Sequence, residues 1–524
     1  MFHIRFDVLF DHKHCHAQFI DRLDLVENHV DCFRSQSGSG LVEHQQIRVE
    51  HQAATQFDHL LLAAAEIARG STLIFTECRK YLEYFFDCSR CIVIPVGNTG
   101  FFPKDVYYWL ILYQMMAFEI DEQRFSNTME EQASIGGTDN GGLHRLTLSD
   151  ADKDVRDWFL DAMEAEGLDV RIDEMGNMFG RRSGTDPTAA PVLLGSHLDS
   201  QPYGGIYDGA LGVVAALELV RSLNDEEIET TRPIEIVNWT NEEGSRFQPA
   251  MQGSGVWAGE LDLETEYAKT DETGTTVEEA LERIGYKGPE QAEPPEEYDS
   301  SLELHIEQGP KLDDNGKDVG VVSGIVGLSW GAVTFEGEAE HTGTTPMQGR
   351  QDSLVAAADL ITAVRRLPSR LGDRTVGSVG HIDVAPNSIN IVPETTTVTW
   401  GIRDPNDSTV ERGREQVIAE AEAAANREGV EFEWEDRARS SSIRFPDRPI
   451  QAIRDASNSL GYDAMDVFSG AVHDAAHVAK VCDTAMVFAV SEDGKSHTED
   501  EFTSWEDCYS AANTLANAGL TLAE

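Results

Sequence analysis

Residues 195–209 read Gly-Ser-His-Leu-Asp-Ser-Gln-Pro-Tyr-Gly-Gly-Ile-Tyr-Asp-Gly, and the rest of the chain makes sense around them. Before them, residues 191–194 are apolar and short, which reads as a buried strand; after them, residues 211–223 are apolar and alanine-rich, which reads as a packed helix. His197 and Asp199 then fall just past a strand end, and Asp208 follows a Gly-Gly turn just before a helix. Open α/β sheets gather ligands and catalytic groups at the carboxyl ends of their strands. A histidine and two carboxylates in such a place suit zinc, manganese, cobalt or nickel, and one carboxylate can bridge two such ions. A polar turn holding one satisfied histidine is the competing reading, and this stretch alone does not separate the two.

Outward from this point the chain keeps a β-α-β rhythm. Ser149 is placed to cap a helix running to about residue 166, with Val155, Phe159 and Met163 on one face and Gly167 to end it. Residues 168–172 and 233–239 read as strands, and with 191–194 and the helix at 211–223 they predict a sheet with helices on both sides. Residues 269–300 are acidic, contain Pro289, Pro294 and Pro295, and read as an excursion with a short helix at 277–284; residues 302–306 return as an alternating strand. Beyond Gly327 the order becomes strand 332–339, helix 353–367, strands 377–384 and 396–402, helix 409–427 and strand 430–434. That β-α-β-β-α-β order is a split βαβ unit, read as a second domain at 327–442 inserted into a first domain spanning 121–326 and 443–524. The first domain resumes with a helix from Pro449, a strand near 486–490 and a final helix from Ser504.

The net charge of −52 argues against nucleic acid as a partner. The charge is diffuse, and from Met116 onward 7 lysines stand against 24 arginines, which suggests a surface adapted to high salt. Equal stability of the fold without salt would count against that adaptation. No apolar run reaches membrane-spanning length, residues 107–118 being the most apolar, and no signal-peptide pattern opens the chain, so a cytoplasmic protein with no membrane partner is expected. Residues 1–115 stand apart: they hold 8 of the 16 histidines and 5 of the 7 cysteines but a net charge of only −4. His12, His14, Cys15 and His16 with Cys88 and Cys91 admit a zinc reading, but no second well-spaced pair supports it. The segment reads instead as an extension outside the working domain, with Met116 as the natural start.

Several further residues fall near predicted strand ends. Asn241-Glu242-Glu243-Gly244 follows one strand, and adjacent carboxylates can divide the work, one holding a metal while the other moves a proton. A solvated acidic turn is the plainer reading in so acidic a chain. His305 lies within an alternating strand, and His497 follows another; each alone is ambiguous. Taken together, His197, Asp208, Glu243, His305 and His497 are the kind of ligand set that two carboxylate-bridged metals require. Neither a nucleophile elbow nor a phosphate-binding Walker loop is present.

The motifs at 195–209, 241–247, 303–310, 341–347, 387–393 and 469–475 resemble, in order, those of the amidase, hydantoinase/carbamoylase family, which includes N-carbamoyl-L-amino acid hydrolases, beta-ureidopropionases and allantoate amidohydrolases. The resemblance runs from about Asp121 to the C-terminus and leaves residues 1–115 unmatched. It implies an α/β fold, a mixed-sheet metallohydrolase domain with an inserted ferredoxin-like lid that also makes a homodimer. It implies two divalent ions per subunit, zinc or manganese with cobalt or nickel as further choices, one held by His197, Asp208 and His305 and the other by Asp208, Glu243 and His497. Asp199 would fix the ring of His197, Glu242 would be the base, and His341 would reach the partner's site to steady the oxyanion. Asn390 and Arg403 would bind the carboxylate of a small ureido acid, with Gln308 and His473 lining the ureido pocket. The activity implied is hydrolysis of the carbamoyl C–N bond of an N-carbamoyl amino acid, giving amino acid, carbon dioxide and ammonia; an aminoacylase or dipeptidase, or an allantoate amidohydrolase, is the alternative. Val472 and Lys495 depart from the family pattern, and Leu328-Ser329-Trp330 replaces a Gln/Arg-rich triplet, which weighs against allantoate.

Overall fold

The computed structural model describes residues 118–524, together with 92–95 and 109–112. The chain divides into two units, Met1–Met116 and Ala117–Glu524. In the first, strands Ile92–Pro95 and Trp109–Leu112 pair antiparallel, Ile92 opposite Leu112. The zinc reading of His12, His14, Cys15, His16, Cys88 and Cys91, and the reading of Met116 as a start, lie outside the described residues.

The second unit is built on a nine-stranded mixed sheet. At its centre Asp483–Ala489, Ser300–Ile306, Val192–His197 and Ile234–Trp239 lie side by side and parallel. The inner three of these strands, counted from Ser300, are buried throughout, as befits a sheet covered on both faces. One face is covered by Ala210–Asp225, Asp447–Leu460 and Trp505–Ala523. The other carries a smaller apolar cluster of Phe179, Leu193, Val237, Trp239, Trp257, Tyr298 and Val478. Antiparallel strands flank the centre: Met178–Arg182 and Asp169–Ile172 on one side, Val319–Ile325 on the other. Among the described residues no helix is long and apolar enough to cross a membrane.

Local signals explain the helix ends. Ser149 accepts from Asp152 N–H at the start of Asp150–Ala165, Thr276 and Glu279 form a reciprocal capping box on Val277–Ile284, and Ser504 caps Trp505–Ala523. The strand expected at 191–194 runs from Val192 to His197, so His197 is the last strand residue rather than lying just past the strand end.

A separate five-stranded antiparallel sheet lies between residues 327 and 440. Its lanes run Val376–Ser378 with Ile382–Ala385, then Thr395–Asp404, Gly327–Glu336 and Glu431–Ser440. Alternate residues Val333, Phe335, Val398, Trp400 and Ile402 pack under Ser353–Arg366 and Asp407–Glu428, forming their own core. The strand expected at 377–384 is broken. His381 N–H donates to Thr399 Oγ1 at 2.9 Å, so a side-chain hydroxyl takes a place in the ladder that the main chain would otherwise fill.

One buried carboxyl ties the first sheet to the site. Asp173 accepts from Asn177 N–H and Nδ2 at 2.9 and 2.8 Å, and Asn177 Oδ1 accepts Thr240 N–H at 3.0 Å, just ahead of Glu242. Burial pushes Asp173 up to about 7 from its ordinary 3.8. Between those values the folded chain holds a proton that the unfolded chain has lost, so this group's contribution to stability falls as pH rises through that window. Asp173→Asn should remove the effect: the urea midpoint of the variant relative to wild type is expected to rise from pH 4 to pH 8. Parallel pH profiles would contradict it.

Candidate metal centre

The four parallel strands deliver the cluster from their carboxyl ends. His197 ends Val192–His197, Glu242 and Glu243 follow Ile234–Trp239, His305 is next to last in Ser300–Ile306, and His497 lies beyond Asp483–Ala489. Asp208 comes from the turn that leads into Ala210–Asp225. Gly209, at φ 67°, makes that turn possible, and a Cβ there would lie 2.3 Å from His197 Nε2.

Asp208 is shared between two groups. Its Oδ1 lies 3.0 Å from His305 Nε2 and 3.8 Å from His197 Nε2; its Oδ2 lies 3.4 Å from His497 Nε2. Glu243 Oε2 is 3.7 Å from the same His497 nitrogen. His197, Asp208 and His305 thus form one trio and Asp208, Glu243 and His497 a second, with the donor atoms in each within 4.8 Å of one another. Glu303, His305 and His473 make a third such trio.

The donor set fits divalent cations. His197 Nδ1 donates to the Asp199 carbonyl at 2.9 Å and His305 Nδ1 to the Ile306 carbonyl at 3.0 Å, so both rings turn Nε2 toward the cluster as the atom a cation would take, displacing any proton there. His197 Nε2 is buried with no hydrogen-bond partner. Around it Asp199, Asp208, Glu242, Glu303 and Asp474 are all buried; among the described residues the ion-pair contacts of Asp199, Asp208 and Glu242 are to histidines only. Such a concentration of negative charge requires compensation. The titration of the groups expresses the same need. Burial, reinforced by neighbouring carboxylates, pushes Glu242 and Glu243 well above the usual range. Burial opposes charge on His305, but Asp208 outweighs it and lifts His305 to about 9, while burial takes His197 down to about 4. The clusters therefore have the make-up of a dinuclear metal site.

The backbone is strained where the cluster is presented. Asn241, Gln308 and His497 have φ of 56°, 55° and 58°, a left-handed conformation that costs non-glycine residues about 1–2 kcal/mol each.

The remaining expected residues fall in three places. Asp199 sits beside His197, yet its carbonyl, not its carboxylate, takes the ring N–H; the carboxylate is 3.7 Å away and accepts Glu242 and Glu243 N–H at 3.3 Å each. Its position therefore fixes the Glu242–Glu243 turn as well as the ring. Gln308 Nε2 donates to Asp208 Oδ2 at 3.1 Å, and His473 is buried with its ring 4.4 Å from that of His305 and its Nε2 2.9 Å from Ser469 Oγ. Arg403, on Thr395–Asp404, reaches this corner by donating Nη1 to the Gly470 carbonyl at 2.5 Å. His341 and Asn390 contact each other and, among the described hydrogen bonds and ion pairs, none of the cluster residues. His341 Nδ1 accepts Gly343 and Thr344 N–H at 3.0 and 3.2 Å, which puts the neutral ring's proton on Nε2. Asn390 lies 3.4 Å from that Nε2, and its amide is best read with the oxygen turned toward it.

Sequence reasoning missed several supports. Gln201 holds Glu243 through N–H to Oε1 at 2.9 Å and Nε2 to Oε2 at 2.7 Å. Glu303 accepts Ser196 Oγ–H at 2.7 Å and Ala475 N–H at 2.9 Å. Glu501 accepts Asp208 N–H at 3.2 Å and Ser496 Oγ–H at 3.0 Å. For Glu303 a signal existed: it stands two residues before His305 on one strand, so both side chains share a face.

With the site described, the likeness to known proteins has a physical basis. Residues 193–520 match Peptidase family M20/M25/M40, and the chain belongs to that family. Within it the chain falls among the hydantoinase/carbamoylase amidases. It is 40% identical over 405 residues to an N-carbamoyl-L-amino-acid amidohydrolase of Rhizobium meliloti, covering 77% of this chain and 97% of that one. It is 36% identical to an N-carbamoyl-L-amino acid amidohydrolase of Geobacillus stearothermophilus, over 77% and 99% of the two chains. An amidase, hydantoinase/carbamoylase family, from Burkholderia multivorans superposes with a TM-score of 0.75 at 41% identity, over 78% of this chain and 98% of that one.

Proposed function

We propose that the protein hydrolyses the carbamoyl C–N bond of N-carbamoyl-L-amino acids or related ureido acids, releasing the amino acid, carbon dioxide and ammonia. The carrying observation is Asp208, which turns one oxygen to each of two ligand trios beside a buried carboxylate, Glu242, that belongs to neither. The names of the similar amidohydrolases support the choice of bond. His197, Asp208 and His305 would hold one ion and Asp208, Glu243 and His497 the other, with zinc or manganese, and after them cobalt or nickel, suited to such nitrogen and oxygen donors. When bound, the pair would supply Lewis-acid polarisation of the scissile carbonyl and a nucleophile available at neutral pH.

The chain's own residues do the rest. Glu242 Oε2 lies 3.6 Å from His197 Nε2, beside the ligands, where it takes the proton of the attacking water and passes it to the leaving nitrogen. Asp199, by accepting the Glu242 and Glu243 N–H groups, sets the direction of both carboxylates. Arg403 and Asn390 bind the substrate carboxylate, and Gln308 and His473 the ureido group. His341 offers its Nε2–H to the developing oxyanion. Its lack of a bond to this chain's cluster among the described contacts supports a role in a partner subunit's site, in a homodimer formed through a ferredoxin-like lid at 327–442. The strand order there and the exposed Val376 and Ile382 on the edge lane support that reading. A monomer by sedimentation would count against it.

Release of free amino acid by manganese-loaded protein, with ammonia measured alongside for the ureido substrates, tests the function. Turnover of N-carbamoyl-L-amino acids, with N-acetyl amino acids and allantoate inert, is expected; preferential deacetylation would make the protein an aminoacylase instead.

A further inference from the structure

Resting on that reading, we propose that the Trp330 indole is the wall against which the side chain of the substrate amino acid packs, so that the substrates are N-carbamoyl amino acids with aromatic or large aliphatic side chains. Trp330 lies on Gly327–Glu336, on the face of the five-stranded sheet turned away from its helices, and is 42% exposed although large and apolar. Gly401 stands directly opposite it and carries no side chain; a Cβ there would come within 2.9 Å of Trp330 Cδ1, so the indole occupies the space over the neighbouring strand.

Arg403 is the diagonal neighbour two residues further along that strand, and its Cζ sits 5.2 Å from the ring centroid. A guanidinium over a ring keeps its N–H donors in its own plane, and with Nη1 on the Gly470 carbonyl the Nε and Nη2 edge is left to grip a carboxylate in two-pronged fashion. The Nη1 bond to the Gly470 carbonyl ties this pair to the metal cluster: Gly470 follows Ser469, which holds His473, whose ring packs on His305. In an α-amino acid the carboxylate and the side chain leave the same carbon. A carboxylate on Arg403, with the ureido group directed toward His305, therefore brings the side chain alongside the indole. Beyond Arg403 the wall is the apolar indole face itself, 42% exposed, which favours an apolar side chain over a charged one.

The test is the ratio of kcat/KM for N-carbamoyl-L-phenylalanine to that for N-carbamoylglycine, measured on metal-loaded wild type, Trp330→Ala and Trp330→Phe. Wild type is expected to favour phenylalanine. Trp330→Ala should lower the ratio by about tenfold or more, and Trp330→Phe should keep most of it. An unchanged ratio, even with both rates reduced, would overturn the proposal, since it would mean that the indole only steadies Arg403. Preference of wild type for glycine would overturn it as well. If neither ureido acid is cleaved but N-acetyl amino acids are, the reading of the bond fails alone, and the same ratio taken on N-acetylphenylalanine and N-acetylglycine decides the role of Trp330.

Discussion

Glu242→Gln is expected to lower kcat by about 10²–10⁴-fold while the protein binds metal as wild type does. The reason is positional. Glu242 stands beside Glu243 on the turn after Ile234–Trp239, but only Glu243 joins a ligand trio; Glu242 faces His197 from outside both. The amide keeps the size of the side chain and the main-chain N–H bond to Asp199, so the cluster should remain in place. What it loses is a carboxylate that can take up and return a proton. Stopped turnover with unchanged metal content separates this role from ligation. Loss of an ion in the variant would make Glu242 a ligand, and full turnover would place the base elsewhere.

Asp208→Asn is expected to release both ions together. Each Asp208 oxygen serves a different trio, and among the described residues Asp208 alone belongs to both the His197–His305 and the Glu243–His497 trios. Changing a partner of a ligand costs metal affinity about 10–100-fold, so removing the charge of a shared ligand should cost more, at both sites at once. Isothermal titration with manganese should show two sites in wild type and none at the same concentrations in the variant. Retention of one tight site would show that the trios are independent and that Asp208 belongs to one of them.

The parts of this centre that were legible in the sequence share a physical cause. Buried parallel strands are nearly uniform apolar runs, so residues 191–194 and 233–239 stood out, and residues placed at their ends could be assigned to one rim of the sheet without knowing its strand order. The helices at Asp150–Ala165 and Trp505–Ala523 were marked by Ser149 and Ser504 at their starts. Strands lacking those signals were missed. Met178–Arg182 contains Gly180 and ends in two arginines, and Val319–Ile325 is interrupted by Gly320 and Gly324, so neither has the period or bulk of a strand. The supports of the site were hidden for a different reason. Gln201 reaches Glu243, and Glu501 and Ser496 reach Asp208, across long sequence separations, and a lone glutamate or glutamine in a chain with 93 acidic residues carries no local mark of burial. The likeness to carbamoylases brought in His341, Asn390 and Arg403, whose spacing alone would not have singled them out.

The most direct measurement is anomalous diffraction from crystals of the protein loaded with zinc or manganese. The expected result is two ions in each chain, one on His197 and His305, one on Glu243 and His497, with the Asp208 carboxylate spanning them. A single ion, or two ions that do not share Asp208, would contradict the assignment from which the chemistry follows.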